Sequence, residues 1–302
     1  MSSPASPSPG TPAPDAATPA SAEPQESPAA PGQAHGQRSG PEETRQQGHW
    51  LLAKLGKRVL RPGGLELSRK LLAAAAPTST DRVIEFGPGV GKTAEILLAA
   101  TPISYTAVDP NPEGRAALSK ILSQHSQAEL VQANAKNTGL ADESADLVVG
   151  EAMLTMHSEK DKLAIMAEAF RLLAPGGRYA IHELGFRPDD CPAEVMDEIS
   201  RALSRLIKVG ARPLTRKRWC ELLEQSGFEI EADFTNPMHL LEPRRIIADE
   251  GLCGALRFFN NVRRNRAART RIRAMRQAFR DNQEHLYAVA IIARKPDDRD
   301  SR

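Results

Sequence analysis

The chain has 302 residues, 26% of them charged and 40% hydrophobic, and a formal net charge of only +2. That length leaves room for one large or two modest domains, and so small a net charge does not by itself point to a nucleic acid or a membrane surface as partner. The longest apolar runs fall far short of the roughly 18 residues a transmembrane helix needs, which excludes a membrane span. Cys191, Cys220 and Cys253 are widely spaced and match neither a zinc site nor a disulfide framework. No metal is expected, and the reading is a soluble protein of the reducing cytoplasm.

The first 45 residues are a Pro/Ala/Ser-rich stretch that cannot bury enough apolar surface to offset its ordering entropy, so residues 1–45 are expected to be a disordered tail. From residue 46 a single domain is expected to run to 302. "HWLLAKLGKRVL" has apolar positions at helical spacing and stops at "RPGG", and "LELSRKLLAAAA" is a second short helix ended by Pro77. These two make residues 46–79 a pair of N-terminal cap helices.

Strands and helices then alternate. "RVIEF" is a short buried strand, followed by a glycine turn and the helix "KTAEILLAA". Next come the strand "SYTAVD", the helix "NPEGRAALSKILSQH", and the strands "AELVQA" and "ADLVVG". The helix "SEKDKLAIMAEAFRLLA" leads through Pro-Gly-Gly into the strand "RYAIHEL". Thr215 is a plausible N-cap and Gly227 a stop for the helix before "FEIEADF", and "HLYAVAIIARK" is the last strand. Such alternation predicts a mostly parallel sheet in an α/β layered domain. Residues 186–214 and 237–282 fall outside it as helical insertions.

The turn "EFGPGVGKTAE" decides the ligand class. Gly91-Lys92-Thr93 supplies the tail of a phosphate-binding G-x-x-x-x-G-K-[ST] loop, but the position of its first glycine is held by Phe86. A dinucleotide fingerprint can be laid over Gly89, Gly91 and Ala94 with Asp109 toward a ribose, a weak match that leaves Gly87 unused. A plain tight turn beside a surface acid is the bland alternative. Glu85-x-Gly87-x-Gly89-x-Gly91 uses every residue, and it resembles the acid-x-Gly-x-Gly-x-Gly signature of the class I, Rossmann-like S-adenosylmethionine-dependent methyltransferases of small-molecule type.

The resemblance extends over residues 80–235 and the last strand. It implies a seven-stranded sheet with the last strand antiparallel and helices on both faces. It also implies S-adenosylmethionine as cofactor and a cofactor site made of Glu85, Gly87, Gly89, Gly91, Asp109, Asn134, Ala135 and Glu151. Asp109 would accept from the ribose hydroxyls. Asn134 departs from the acid many relatives carry, which weakens its expected contact with adenine. The lead-in helices resemble a cap over the cofactor, which would bring His49 and Trp50 to the mouth of the site, although Trp50 fits an apolar core stripe equally well.

Methyl transfer needs an acceptor held in line more than it needs a base. In an open α/β sheet the acceptor lies beyond the carboxyl ends of the strands, which makes His157, His182 and Glu183 the candidate catalytic residues. Adjacent strand residues point to opposite faces, so at most one of His182 and Glu183 faces the acceptor. Residues 244–280 carry 11 arginines, no lysine and two acids. The bland reading is a packed helix with a solvated basic face. An anionic small-molecule acceptor under a lid formed by the two insertions is one extension, and an RNA methyltransferase using the arginines as a platform is another. The scarcity of aromatic residues for stacking on bases argues against the RNA reading. A non-catalytic binding protein of the same fold and a nicotinamide oxidoreductase complete the alternatives.

Overall fold

The computed structural model describes residues 46–297, so the stretch expected to be a disordered tail lies outside the described residues. Helices α1 (Gly48–Lys54) and α2 (Gly64–Ala75) lead into β1 (Arg82–Phe86). The alternation that follows is α3 (Lys92–Leu98), β2 (Ser104–Val108), α4 (Arg115–Leu122), β3 (Ala128–Val131), β4 (Ala145–Glu151), a short 3-10 turn at Leu154–Met156, α5 (Glu159–Leu172) and β5 (Leu173–Phe186). Then come α6 (Ala193–Ile207), β6 (Leu214–Thr215), α7 (Arg216–Gln225), β7 (Glu229–Pro237), α8 (Pro243–Arg264), α9 (Arg266–Asp281) and β8 (Leu286–Arg294).

The sheet order is β3-β2-β1-β4-β5-β8-β7, with the two-residue β6 on β5. β8 runs antiparallel to both of its neighbours, while the pairs β1–β2, β1–β4, β2–β3 and β4–β5 are parallel. A single reversed strand is the arrangement the family resemblance implies. β8 is buried along Leu286–Ala293, so both its faces are covered. That is why "LYAVAIIA" reads as an unbroken apolar run and not as an alternation.

Two helical layers cover the sheet. On one face Leu67 and Leu71 of α2, Leu97 of α3 and Leu118 of α4 pack over Leu147 and Val149. On the other, Ile165 and Met166 of α5 and Trp219 of α7 pack over Val148 and Ile181. Trp219 is fully buried and its indole N–H donates to the Leu184 carbonyl at 3.2 Å, which satisfies its one polar atom. Thr215 caps α7 by accepting from the Arg218 N–H at 3.2 Å, as its position before the helix suggests.

Some elements differ from the sequence reading. The helix drawn from Asn111 begins only at Arg115, because Pro112-Glu113-Gly114 forms a turn closed by the Arg115 N–H on the Pro112 carbonyl. β5 already starts at Leu173, with an irregular register against β4 that absorbs Pro175-Gly176-Gly177. β6 has no signature in the sequence, since two residues carry no periodicity.

A third apolar cluster lies at the carboxyl ends of the strands. Leu51 and Leu52 of α1, Leu203 of α6, Phe258 of α8 and Met275 of α9 pack together with Leu184 and Phe186 from the end of β5. The insertions and α1 thus form a roof, whereas α2, expected to share the cap, lies on the sheet. Asn265 separates α8 from α9: its backbone is extended and its side chain accepts from the Ala268 N–H at 2.9 Å. The roof is anchored by an ionic joint. Lys57, fully buried, stands 3.3 Å from Asp249 and 3.5 Å from Glu250 of α8. Those carboxylates also accept from the Leu65, Arg58 and Val59 N–H groups at 2.8–2.9 Å.

Candidate functional site

β1 ends where Gly87 (φ +65°), Gly89 (φ +57°) and Gly91 (φ +80°) turn the chain into α3. Three left-handed residues in five positions would each strain a side chain by about 1–2 kcal/mol, which is the physical reason for glycine here. The three have different surroundings. A Cβ on Gly91 would strike Ile121 at 2.6 Å, so that glycine lets α3 approach α4, whereas a Cβ on Gly89 would meet nothing within 4 Å. Gly89 therefore fronts open space, and that space is a cavity of about 440 Å³, within the ~300–1,000 Å³ range of ligand clefts.

The floor of the cavity joins the ends of β1, β2 and β4. Glu85, Gly87, Gly89, Asp109, Asn134, Ala135 and Glu151 all line it, while Gly91 lies behind the turn. Glu85 is buried and accepts from the Tyr105 hydroxyl at 2.5 Å. Burial pushes its carboxyl up to about 7, against the opposing effects of that hydrogen bond and the Arg61 charge, and with Asp109 adding to the rise. Asp109 is likewise raised by burial and accepts from the Asn111 N–H at 2.8 Å. Asn134 uses its amide oxygen to accept from the Lys136 N–H at 3.0 Å and so holds its own loop in shape. One of that oxygen's two lone-pair directions is thereby taken.

Glu151 is the hub of a buried network. Oε1 accepts from the Ser68 hydroxyl at 2.5 Å and from His182 Nδ1 at 2.9 Å, and Oε2 meets Arg61 Nη1 and Thr93 Oγ1. The Gly63 N–H donates to His182 Nε2 at 3.1 Å, which makes Nδ1 the protonated nitrogen. Burial and the Arg61 charge hold this imidazole down to about 3, so it is neutral. His182 is fully buried and does not line the cavity. It bridges the loop before α2 to β4.

Glu183 points to the other face of the sheet, as alternation along a strand requires. It accepts from the Met153, Leu154 and Thr155 N–H groups at 2.7–3.0 Å and from the Thr155 hydroxyl at 2.7 Å. It does not line the cavity either. Its four hydrogen bonds brace the loop after β4, in which Ala152 is held at φ +55°. Of the three candidate catalytic residues only His157, at the end of that loop, reaches the cavity. Burial lowers its imidazole, with Asp161 opposing and Lys136, Lys162 and Arg212 adding, so it is neutral and able to take a proton.

The roof supplies the other side. His49 and Trp50 of α1 line the cavity together, their rings 5.1 Å apart, and burial lowers His49 to about 4. Trp50 is at once buried in the core and part of the wall. Beyond them the lining is apolar: Leu60, Leu203, Ile207, Met238, Met275 and Phe279. None of the 11 arginines in residues 244–280 is among the lining residues.

Two contributors escape a reading of the sequence. Arg61 looks like a helix stop before Pro-Gly-Gly. It is in fact buried against Glu151 and Thr93 in the cavity wall, its guanidinium lowered to about 10 by burial, and its Nε has no partner among the described residues. Gly114 has an ordinary φ of −86°, yet a Cβ there would lie 2.2 Å from the Gly89 carbonyl oxygen and 2.9 Å from the Trp50 ring. Neither gives a local signal, because each is defined by residues far along the chain.

Comparison with known proteins accords with this geometry. The profile of the family described as "Methyltransferase domain" matches residues 84–181. An uncharacterized protein of Haemophilus influenzae is 31% identical over 251 residues, covering 82% of this chain and 98% of that protein. An S-adenosyl-L-methionine-dependent Diels-Alderase of Neonectria sp. is 29% identical over 195 residues, 61% of this chain and 73% of that one. Among solved structures the cyclase SpnF superposes with a TM-score of 0.63 at 15% identity over 82% of this chain and 94% of that one, a likeness of fold.

Proposed function

Since the chain belongs to the class I S-adenosylmethionine-dependent methyltransferase family, we propose that it transfers a methyl group to a small-molecule acceptor enclosed beneath the helical roof. The observation that carries this reading is the single cavity joining the glycine turn and Asp109 on one side to an apolar wall of roof residues on the other. Such a space suits a small molecule better than a polymer lying across a surface.

The residues present fit the family's cofactor. Gly89 leaves room where any side chain would project into the cavity. Asp109 offers an acceptor pair suited to a ribose diol, and Glu85 supplies a carboxylate for a cationic ligand. Asn134 and Ala135 would border the adenine. Arg61, with its unpartnered Nε, would stand near the carboxylate end of the methionyl group. When bound, S-adenosylmethionine offers an electrophilic methyl on a sulfonium: an acceptor lone pair takes the methyl in line, and the C–S bonding pair leaves with sulfur as S-adenosylhomocysteine.

The chain's own part is to orient and to exclude water. His157 and His49, both neutral and both in the cavity wall, are the groups able to receive a proton where the acceptor must lose one. Glu183 would act by positioning the loop that carries His157 and touches no reactant. His182 and Glu151 would fix the floor.

A second reading is favoured by one relative, whose name describes a cofactor-dependent Diels-Alderase: the cofactor would be bound and left intact while the apolar wall folds a substrate. Incubation with S-adenosylmethionine and a panel of apolar phenols, acids and amines separates the two. Formation of S-adenosylhomocysteine in step with one panel member supports methyl transfer. Tight cofactor binding with no turnover across the panel supports the second reading, and failure to bind the cofactor refutes both.

A further inference from the structure

At its apolar end the cavity adjoins a second hollow. Met238, Leu240, Leu241 and Phe279 also line this hollow of about 720 Å³, so the two spaces share a wall. The lining of this outer hollow is of a different kind. Arg244, Arg245, Arg276 and Arg280 stand there against Glu66 and Glu242, four fixed positive charges to two negative. It is here, outside the reaction cavity, that part of the arginine-rich insertion finds a focus.

The pairing within the hollow leaves donors to spare. Arg276 grips Glu242 through Nε and Nη2 at 3.1 and 2.8 Å, and Arg280 grips the same carboxylate through Nε and Nη2 at 2.6 and 2.8 Å. Two guanidiniums on one carboxylate hold its acid well below the usual range, at about 2, and still leave one positive charge unmatched. Each guanidinium carries five N–H donors, of which these forks use two. Arg245 gives Nη1 to Glu66 at 3.1 Å, and Glu66 is shared with Lys70 at 3.3 Å. An apolar wall backed by a net-positive, donor-rich hollow matches a ligand that is itself two-part.

We propose that the acceptor is an anionic amphiphile. Its apolar body lies under the roof, with the end remote from the charge presented to the methyl group. Its carboxylate or phosphate is held by the arginines of the outer hollow. This rests on the small-molecule methyltransferase reading above and names the class of substrate for that same site. It also gives the shared wall a purpose, since Met238, Leu240, Leu241 and Phe279 would grip the chain between the two ends. Guanidinium forks recognise carboxylate and phosphate by the same two-point geometry, so the arms of the test distinguish them.

The experiment is calorimetric titration of the full chain in two steps. S-adenosylhomocysteine is titrated first. The loaded protein is then titrated with decanoate, monodecyl phosphate, decanol and decyltrimethylammonium, each below its micelle concentration. At least one of the two anions should bind about tenfold or more tightly than both the alcohol and the cation, a difference of about 1.4 kcal/mol. The double variant Arg244→Gln, Arg245→Gln should lose that preference and keep its affinity for S-adenosylhomocysteine; it leaves the Arg276–Glu242–Arg280 fork in place. A third protein, Arg280→Gln alone, should show a partial loss.

Anions and alcohol binding alike, no amphiphile binding to loaded protein, or a preference that survives the double variant would each overturn the proposal while leaving the methyltransferase reading standing. Failure of S-adenosylhomocysteine to bind would instead remove the reading beneath it.

Discussion

Replacing Gly114 with alanine should disable the cofactor site from a position that lies outside it. The backbone there is unstrained at φ −86°, so the penalty comes from contact alone. An added Cβ would sit 2.2 Å from the Gly89 carbonyl oxygen and 2.7 Å from its carbon, where ordinary contact begins at 3.4 Å, leaving the glycine turn to retreat by about 1.2 Å. The Trp50 ring at 2.9 Å closes one direction of escape. Overpacking of this kind costs about 1–3 kcal/mol of stability, which a folded domain survives. A displacement of about 1 Å at a positioned site costs on the order of 100-fold. Titration with S-adenosylhomocysteine should therefore show Kd raised by about two orders of magnitude, roughly 2.7 kcal/mol, in a protein that still melts cooperatively. Gly139→Ala is the control, since it has positive φ (+74°) and free space around it and does not line the cavity. It should lose about 1 kcal/mol of stability and no affinity. A Gly114→Ala protein that binds within about threefold of the parent would refute the claim that this glycine exists to seat the turn.

Gly89→Ala should give the complementary result: a stability loss of only about 1–2 kcal/mol from its φ of +57°, with cofactor binding abolished because the methyl enters the cavity; retained binding by calorimetry would contradict the cradle. Affinity for S-adenosylmethionine should fall about tenfold between pH 8 and pH 6, because Glu85 titrates at about 7 and a cationic ligand favours its ionised form; the slope should vanish in Glu85→Gln. Stability should respond to His182 with a definite sign. Its folded value of about 3 lies below the unfolded 6.5, so its contribution is complete above pH 6.5 and is lost as pH falls, by about 2 kcal/mol at pH 5. Urea titrations should show that slope reduced in His182→Gln; a parallel slope in both proteins would mean another group governs the acid limb.

The fold is most legible in the sequence where the physics is local. Glycines at 87, 89 and 91 announce a turn that only glycine can make, and all three adopt positive φ. Apolar runs separated by helical periods point to a mostly parallel sheet, while the reversed last strand is implied only by the family resemblance. The reading weakened where a residue's role is set by what the fold brings next to it. His182 and Glu183 are both polar residues near a strand end, and nothing in "RYAIHEL" shows that Gly63 and Glu151 saturate one and a loop backbone saturates the other. Arg61 and Gly114 were invisible for the same reason. The arginines are visible as charge, but their division between an outer hollow and solvent depends on Glu66 and Glu242, and Glu66 lies 179 positions from the Arg245 it pairs with.

The joint at Lys57 bears on how such a chain can change. With its ammonium fully buried between Asp249 and Glu250, losing Lys57 alone would leave two buried carboxylates facing each other without the cation between them, a defect of about 3–5 kcal/mol. The two carboxylates of α8 thus depend on a lysine nearly two hundred residues away in the chain. A helix put in place of α8 would have to keep the two acids, or lose them together with the lysine at 57.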